Sequence, residues 1–377
     1  MITLIPPGRR LSSAGLALGL LTAALAAVTL VDSAVGPAPA DHGSDPAAPR
    51  PLTVSTAAAR AGLRLLTAAA SAALVVPYGG EQLVAWKGPR GSSLSLIQVW
   101  HPRNRSVRAN ATSMGVVPAG LDGPIVPGPV TATSPTTQDP DGVLGISQQM
   151  VGLIQAHYVI AATGRGQVAG RPARIVQLTR PDGSLAARFW LDRATKLLLR
   201  RETFDTGGAL ISEDTFLTLR LGDTALAGMP AQSVGQWPAK LTAAQLDALR
   251  EQGWPAPSGL PGGLRLLAAH QTSQVVDLDY SDGLSVVSVF VQRGELPVVL
   301  PGWREISVSG QEVYSSDPDQ RSLSWSAHGF VYTVIAAAPP TVVSSVVAAM
   351  PHDPPRGFWG RIAHGLKRLG SWANPFG

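Results

Sequence analysis

An antiparallel α+β protein, with one large curved sheet followed by a smaller α+β unit, is what this sequence predicts. Three observations carry that expectation. Asp-Gly and Gly-Gly pairs separate β-rich runs, as in Pro181-Asp182-Gly183 and Thr206-Gly207-Gly208, which is the pattern of tight hairpins. Helical periodicity is confined to a few segments. The 377 residues are 45% hydrophobic and 15% charged, apolar enough for a substantial core and too apolar for a disordered chain. Gly 40 and Pro 32 follow no three-residue period, so a collagen-like helix is excluded.

The elements follow in order. Thr53–Leu74 is Ala/Leu-rich and reads as one helix. Runs with period two at Leu83–Trp86, Ser93–His101 and Ser106–Asn110 read as strands. Residues 115–141 read as a long Pro/Gly/Thr-rich loop and Ser147–Tyr158 as a short helix. A four-strand meander is expected over Arg174–Thr179, Leu185–Leu191, Leu197–Phe204 and Ala209–Leu219. About seven antiparallel strands with few helices suggest a curved sheet or partial barrel. Thr242, with Gln245 three residues on, approximates a capping box for a helix reaching Arg250. The Pro/Gly-rich stretch from Trp254 to Gly263 breaks the chain. Strands are expected beyond it at 264–269, 275–280, 284–292, 305–308, 311–315, 322–327 and 330–336, then a helix at Thr341–Ala349.

Charge and hydropathy mark the two ends. The net charge of +5 lies in the tips, with Arg9 and Arg10 at one end and Arg356, Arg361, Lys367 and Arg368 at the other. A nucleic-acid binder would carry a basic face on its folded body, so nucleic acid is not an expected partner. Leu11–Val31 is uncharged and long enough to span a bilayer. The preceding arginines place the following chain outside the cytoplasm. Ala38-Pro39-Ala40 also fits a signal-peptide cleavage site, so anchor and signal peptide both remain open.

On a helical wheel, Phe358, Trp359, Ile362, Leu366, Leu369 and Trp372 share one face, with Arg361, Lys367 and Arg368 opposite. That pattern suits a helix lying in an anionic membrane interface; docking on the protein's own body is the other reading. The chain divides into 1–35 (signal peptide or anchor), 36–52 (linker), 53–235 (large sheet), 236–260 (linker helix and boundary), 261–350 (small α+β unit) and 351–377 (basic amphipathic tail).

Catalytic patterns are missing from the sequence. Zero cysteines exclude disulfides and thiolate sites. The seven histidines lack metal-ligand spacing, and no Gly-x-Ser-x-Gly occurs. Gly164-Arg165-Gly166 with Gly170 lacks the third glycine offset of a dinucleotide loop. Asp277-Leu278-Asp279-Tyr280-Ser281-Asp282-Gly283 misplaces the carboxylates of a calcium loop. It reads better as a strand with Asp277 and Asp279 facing solvent, ending in a Ser281-Asp282-Gly283 hairpin turn. The expectation is a non-enzyme with no cofactor and no metal.

Two sets of motifs resemble the RseB/MucB family of sigma-E factor regulatory proteins. The first is Gly170-Arg171-Pro172-Ala173, then Trp190-Leu191-Asp192, Thr195 and Leu197-Leu198-Leu199-Arg200. The second is Leu260-Pro261-Gly262-Gly263, then Tyr280-Ser281-Asp282-Gly283-Leu284. The resemblance spans about residues 55–350. It implies an unclosed, lipoprotein-carrier-like (LolA/LolB-like) half-barrel with covering helices. It also implies a role in binding the extracytoplasmic domain of a membrane anti-sigma factor and modulating its stress-induced proteolysis. The signal would be a lipid or lipoprotein acyl chain held in the concave sheet, and the membrane surface would be a further contact. An envelope lipid or lipoprotein carrier is the alternative.

Overall fold

The computed structural model describes residues 54–88, 91–104, 107–118, 135–138, 145–229, 239–272, 274–296, 300, 302–316 and 321–353. The apolar segment at 11–31, the linker at 36–52, most of the expected loop at 115–141 and nearly all of the tail lie outside them.

Helix α1 (Thr56–Val75) opens the first half, with Ser55 as its cap: its hydroxyl accepts from the Ala58 N–H at 3.2 Å. By length and composition α1 could cross a membrane. Here its Leu66, Ala69 and Ala70 are instead buried in the core. Strands β1 (Tyr78–Gly88), β2 (Gly91–His101), β3 (Val107–Pro118) and β4 (Pro135–Gln138) follow, then α2 (Gln148–His157). The half closes with β5 (Val159–Val168), β6 (Arg171–Thr179), β7 (Leu185–Asp192), β8 (Leu198–Phe204) and β9 (Leu210–Leu221). They form one antiparallel sheet ordered β4-β3-β2-β1-β9-β8-β7-β6-β5. Its end strands, β4 and β5, do not pair with each other, so the barrel is unclosed.

The α+β class and the unclosed antiparallel sheet are therefore borne out, with nine strands among the described residues rather than about seven. Strand β5 escaped the sequence reading because Gly164 and Gly166 weaken its β signal. Strand β3 runs on to Pro118, and β4 falls inside the stretch read as loop.

Helices α1 and α2 lie on the concave face. Gly62 makes this possible: a Cβ there would sit 2.9 Å from Ile160 Cγ2 and 3.0 Å from the Ala161 and Ala162 backbone. The Gln148 side chain ties α2 to α1 by donating to Thr67 O and Ser71 Oγ, both at 3.1 Å. Met150, Val151 and Ile154 of α2 join Leu66, Val176, Leu178, Phe189 and Leu191 in one apolar cluster.

The second half starts with α3 (Ala243–Glu251). Its Thr242–Gln245 capping box forms as the sequence predicts. Strands β10 (Gly259–Leu260), β11 (Leu264–Gln271), β12 (Val275–Ser281), β13 (Val286–Arg293), β14 (Arg304–Val308), β15 (Gln311–Ser315), β16 (Ser322–Ala327) and β17 (Phe330–Ala337) come next, then α4 (Pro340–Ala349). The sheet order is β10-β11-β12-β13-β17-β16-β15-β14, all antiparallel. Strand β13 begins at Val286, so Leu284 and Ser285, expected in the strand, belong to the turn before it. Its core gathers Tyr280, Val289, Trp325, Tyr332 and Val346. Trp325 stacks between Tyr332 and His352, at centroid distances of 5.4 and 5.0 Å.

Candidate functional site

The residues of the two motif sets fall into two built features. The first is a lock at the end of β6 and β7. Ala169 and Gly170 turn the chain with positive φ, which brings Arg171 alongside Asp192. The guanidinium is bidentate: Nε donates to Oδ1 at 3.1 Å and Nη2 to Oδ2 at 3.0 Å. Thr195 adds its N–H and hydroxyl to Oδ2 at 2.8 and 2.7 Å. The carboxylate is almost completely buried. Burial pushes its pKa up, but the Arg171 and Thr195 hydrogen bonds outweigh that and hold it below the ordinary carboxylate range. The spacing Asp-x-x-Thr thus closes the β7–β8 turn, and Arg171 fastens that turn to β6.

The second feature is the junction between the two sheets, centred on α2. Gly263 sits against the His157 ring, where a Cβ would come within 2.8 Å of Nε2. Gly283 has φ +98, and a Cβ there would lie 2.7 Å from Ile154 Cγ1 and 2.8 Å from the Ile154 backbone nitrogen. Beside it, Tyr158 Oη donates to Asp282 Oδ2 at 2.8 Å. Asp282 Oδ1 accepts the N–H groups of Leu284 and Ser285 at 2.9 and 2.6 Å. Leu267 and Leu284 of the second half are buried in the same cluster as α1 and α2. A separate contact places the Arg321 guanidinium 4.8 Å from the Trp86 ring centre. Both glycine motifs of the second half are therefore docking points on α2. Sequence reasoning had Ser281-Asp282-Gly283 as a plain hairpin turn; its burial is what that reading missed.

Asp277 is a correction. It does not face solvent but is 7% exposed, opposite His270 on β11 and Phe290 on β13. Burial, with Asp279 adding repulsion, pushes its carboxyl up to about 8. Its proton is thus bound more tightly folded than unfolded. The stabilisation this gives is present below the ordinary carboxylate pKa and is lost as pH rises towards 8. Asp277→Asn should raise the unfolding midpoint in urea at pH 9, leave it nearly unchanged at pH 4, and flatten the decline between.

Beneath the helices the described residues leave little free space. Between Ala69, Ala73, Tyr78, Ile146, Leu197, Leu198 and Phe216 there is a cavity of only ≈10 Å³, room for about one water. Over β5–β8 the face is packed by α1 and α2 side chains such as Leu66, Met150 and Ile154. Its floor also carries an ion pair, with Arg201 Nε and Nη2 at 2.8 and 2.6 Å from Asp214 Oδ2.

The opposite face bears a charge ladder. Arg200 meets Glu202 at 2.5 Å and Glu213 at 3.2 Å, Arg188 lies 3.8 Å from Glu202, and Arg200 stacks 4.8 Å over Trp190. Among the described residues no group of His, Asp or Glu could hold a metal ion. Phe358, Trp359, Arg361, Ile362, Leu366, Lys367, Arg368, Leu369 and Trp372 lie outside the described residues.

Residues 125–246 match the family model described as MucB/RseB N-terminal domain, so the RseB/MucB resemblance read from the sequence is borne out over that stretch. No curated protein matches the chain. Among solved structures, a crystal structure of MucB is 20% identical, covers 78% of this chain and 98% of its own, with a TM-score of 0.45. The complex structure of Pseudomonas aeruginosa MucA/MucB is 20% identical over 78% of this chain and 100% of that one, with a TM-score of 0.43. A LolA superfamily protein from Nitrosomonas europaea is 9% identical over 74% of this chain and 92% of its own, with a TM-score of 0.17.

Proposed function

We propose that this chain is a non-enzymatic regulator outside the cytoplasmic membrane that binds the extracytoplasmic domain of a membrane anti-sigma factor. The carrying observation is the family match at residues 125–246, which encloses the Arg171–Asp192–Thr195 lock. In this reading, binding shields the partner from proteolysis until envelope stress releases it. Arg9, Arg10 and the apolar run at 11–31 support export or anchoring. The division of the chain at 236–260 would let the two sheets act as separate lobes. The tail, through Phe358, Trp359, Ile362, Leu366, Leu369 and Trp372 with Arg361, Lys367 and Arg368, would keep the second lobe close to the bilayer.

In the same reading, a lipid or lipoprotein signal reaching the concave face beneath α1 would act as a wedge. With only ≈10 Å³ free beneath α1, an acyl chain enters the concave face by displacing α1 or α2, and α2 also carries the junction. Lipid entry and loosening of the two sheets would then be one event.

The test is capture of the full chain from chemically cross-linked membranes, followed by mass spectrometry. The expected product is a single-span protein with a sigma-binding cytoplasmic part. Recovery of lipid or lipoprotein alone would contradict the regulator and favour the carrier.

A further inference from the structure

We propose that the outer edge of β5 is a docking strand for an extended, acidic segment of the partner protein. This rests on the reading above, whose partner it would engage. Strand β5 runs for ten residues without proline and ends the nine-stranded sheet. Its ladder is with β6, and no backbone hydrogen bond reaches its outer side among the described residues. Such a row of free N–H and C=O groups is a template for strand addition unless it is blocked. The register shift between Ala162 and Gly164 and the seating of α1 over the Ala161–Ala162 backbone block its first half, so the stretch from Gly164 to Val168 is the part offered for pairing. Val159, Thr163, Arg165 and Gln167 are exposed, and Arg165 is the only charge in the strand.

The charge around this edge is one-sided. Helices α1 and α2 and strands β5 and β6 contain no Asp or Glu at all. They contain Arg60, Arg64, Arg165, Arg171 and Arg174, of which Arg171 is neutralised by Asp192. Arg165 and Arg174 stand directly opposite each other on β5 and β6, a like-charge pair that costs stability. Arg60 and Arg64 are exposed on α1 either side of Gly62, the residue that seats α1 on β5. A positive strip beside an open strand edge fits an extended peptide bearing alternate carboxylates. Main-chain hydrogen bonds would supply affinity, and the arginines register and rate.

The test uses the full chain in nonionic detergent and a fluorescent ten-residue peptide alternating Glu with Val and Thr. Anisotropy should report saturable binding that weakens with salt. It should be lost when the valines become proline, which cannot donate to a strand ladder. Arg165→Glu should weaken binding about tenfold, as expected for a reversed charge in the contact. That variant sets a carboxylate opposite Arg174, so its thermal midpoint should hold or rise, separating lost binding from lost folding. Equal binding of the proline peptide, or no effect of Arg165→Glu, overturns the proposal. So does Arg165-dependent binding to phosphatidylglycerol vesicles without peptide binding, which would assign the strip to membrane. If wild-type and Arg165→Glu chains capture the same membrane partner equally well, this docking strand falls and the regulator reading stands. If neither captures a sigma-linked partner, the regulator reading itself falls.

Discussion

Arg171→Ala should be among the most destabilising single substitutions in the first sheet. It strands a carboxylate that is 1% exposed and removes two charge-assisted hydrogen bonds of 3.0 and 3.1 Å. Removing one partner of a buried ion pair typically costs ~3–5 kcal/mol. Arg171 itself is about a quarter exposed, so the low end, about 3 kcal/mol, is expected. That is a large share of the roughly 5–15 kcal/mol available to a folded domain. The pH dependence identifies the cause. The folded-state pKa of Asp192 is depressed, so its stabilisation is present above the unfolded carboxylate value and is lost as pH falls through the folded one. The gap between wild type and variant should therefore be wide at neutral pH and narrow in acid. Urea titrations followed by tryptophan fluorescence will show this; a gap that stays constant into acid would mean that the lock is not electrostatic.

Gly283→Ala should separate the two sheets. Its φ of +98 is strained for any side chain by roughly 1–3 kcal/mol. The new methyl would also meet backbone, at 2.8 Å from Ile154 N and 3.0 Å from Met150 O, so α2 or the turn must move. Moving either breaks the Tyr158–Asp282 hydrogen bond and uncovers Leu284. We expect a loss of about 3 kcal/mol in junction stability from strain and lost packing together. Denaturation should become two separated transitions, and small-angle scattering should give a larger radius of gyration. Gly294→Ala is the control. Its φ of +128 is strained as well, but nothing lies within 4 Å of its Cβ position. It should cost stability without changing the dimensions of the molecule.

The sequence made the unclosed antiparallel architecture legible because its hairpins are marked by Asp-Gly and Gly-Gly pairs and its strands by period two. The capping box at Thr242 and Gln245 was legible for the same reason: the signal is local. Strand β5 was not, since glycines at 164 and 166 carry no side-chain pattern. Gly166 is there because a Cβ would crowd Trp190 at 3.1 Å, a contact made across strands. Asp277 misled for a related reason. Alternation identifies the two faces of a strand, but not whether the second face is also covered. Packing hides the carboxylate and half-buries its strand neighbour Asp279. The motifs carrying the family resemblance were visible as residues, yet their roles needed three dimensions. Asp192 depends on Arg171, twenty-one positions earlier, and Gly283 on a helix some 130 positions away.

The most direct test of the account is a titration of the purified full chain with the extracytoplasmic segment of the anti-sigma factor captured from membranes. Calorimetry should give a saturable, stoichiometric complex, weakened by salt and by Arg165→Glu. Protease added to the mixture should cleave the bound segment more slowly than the free one. A segment that neither binds nor gains protection would contradict the central claim.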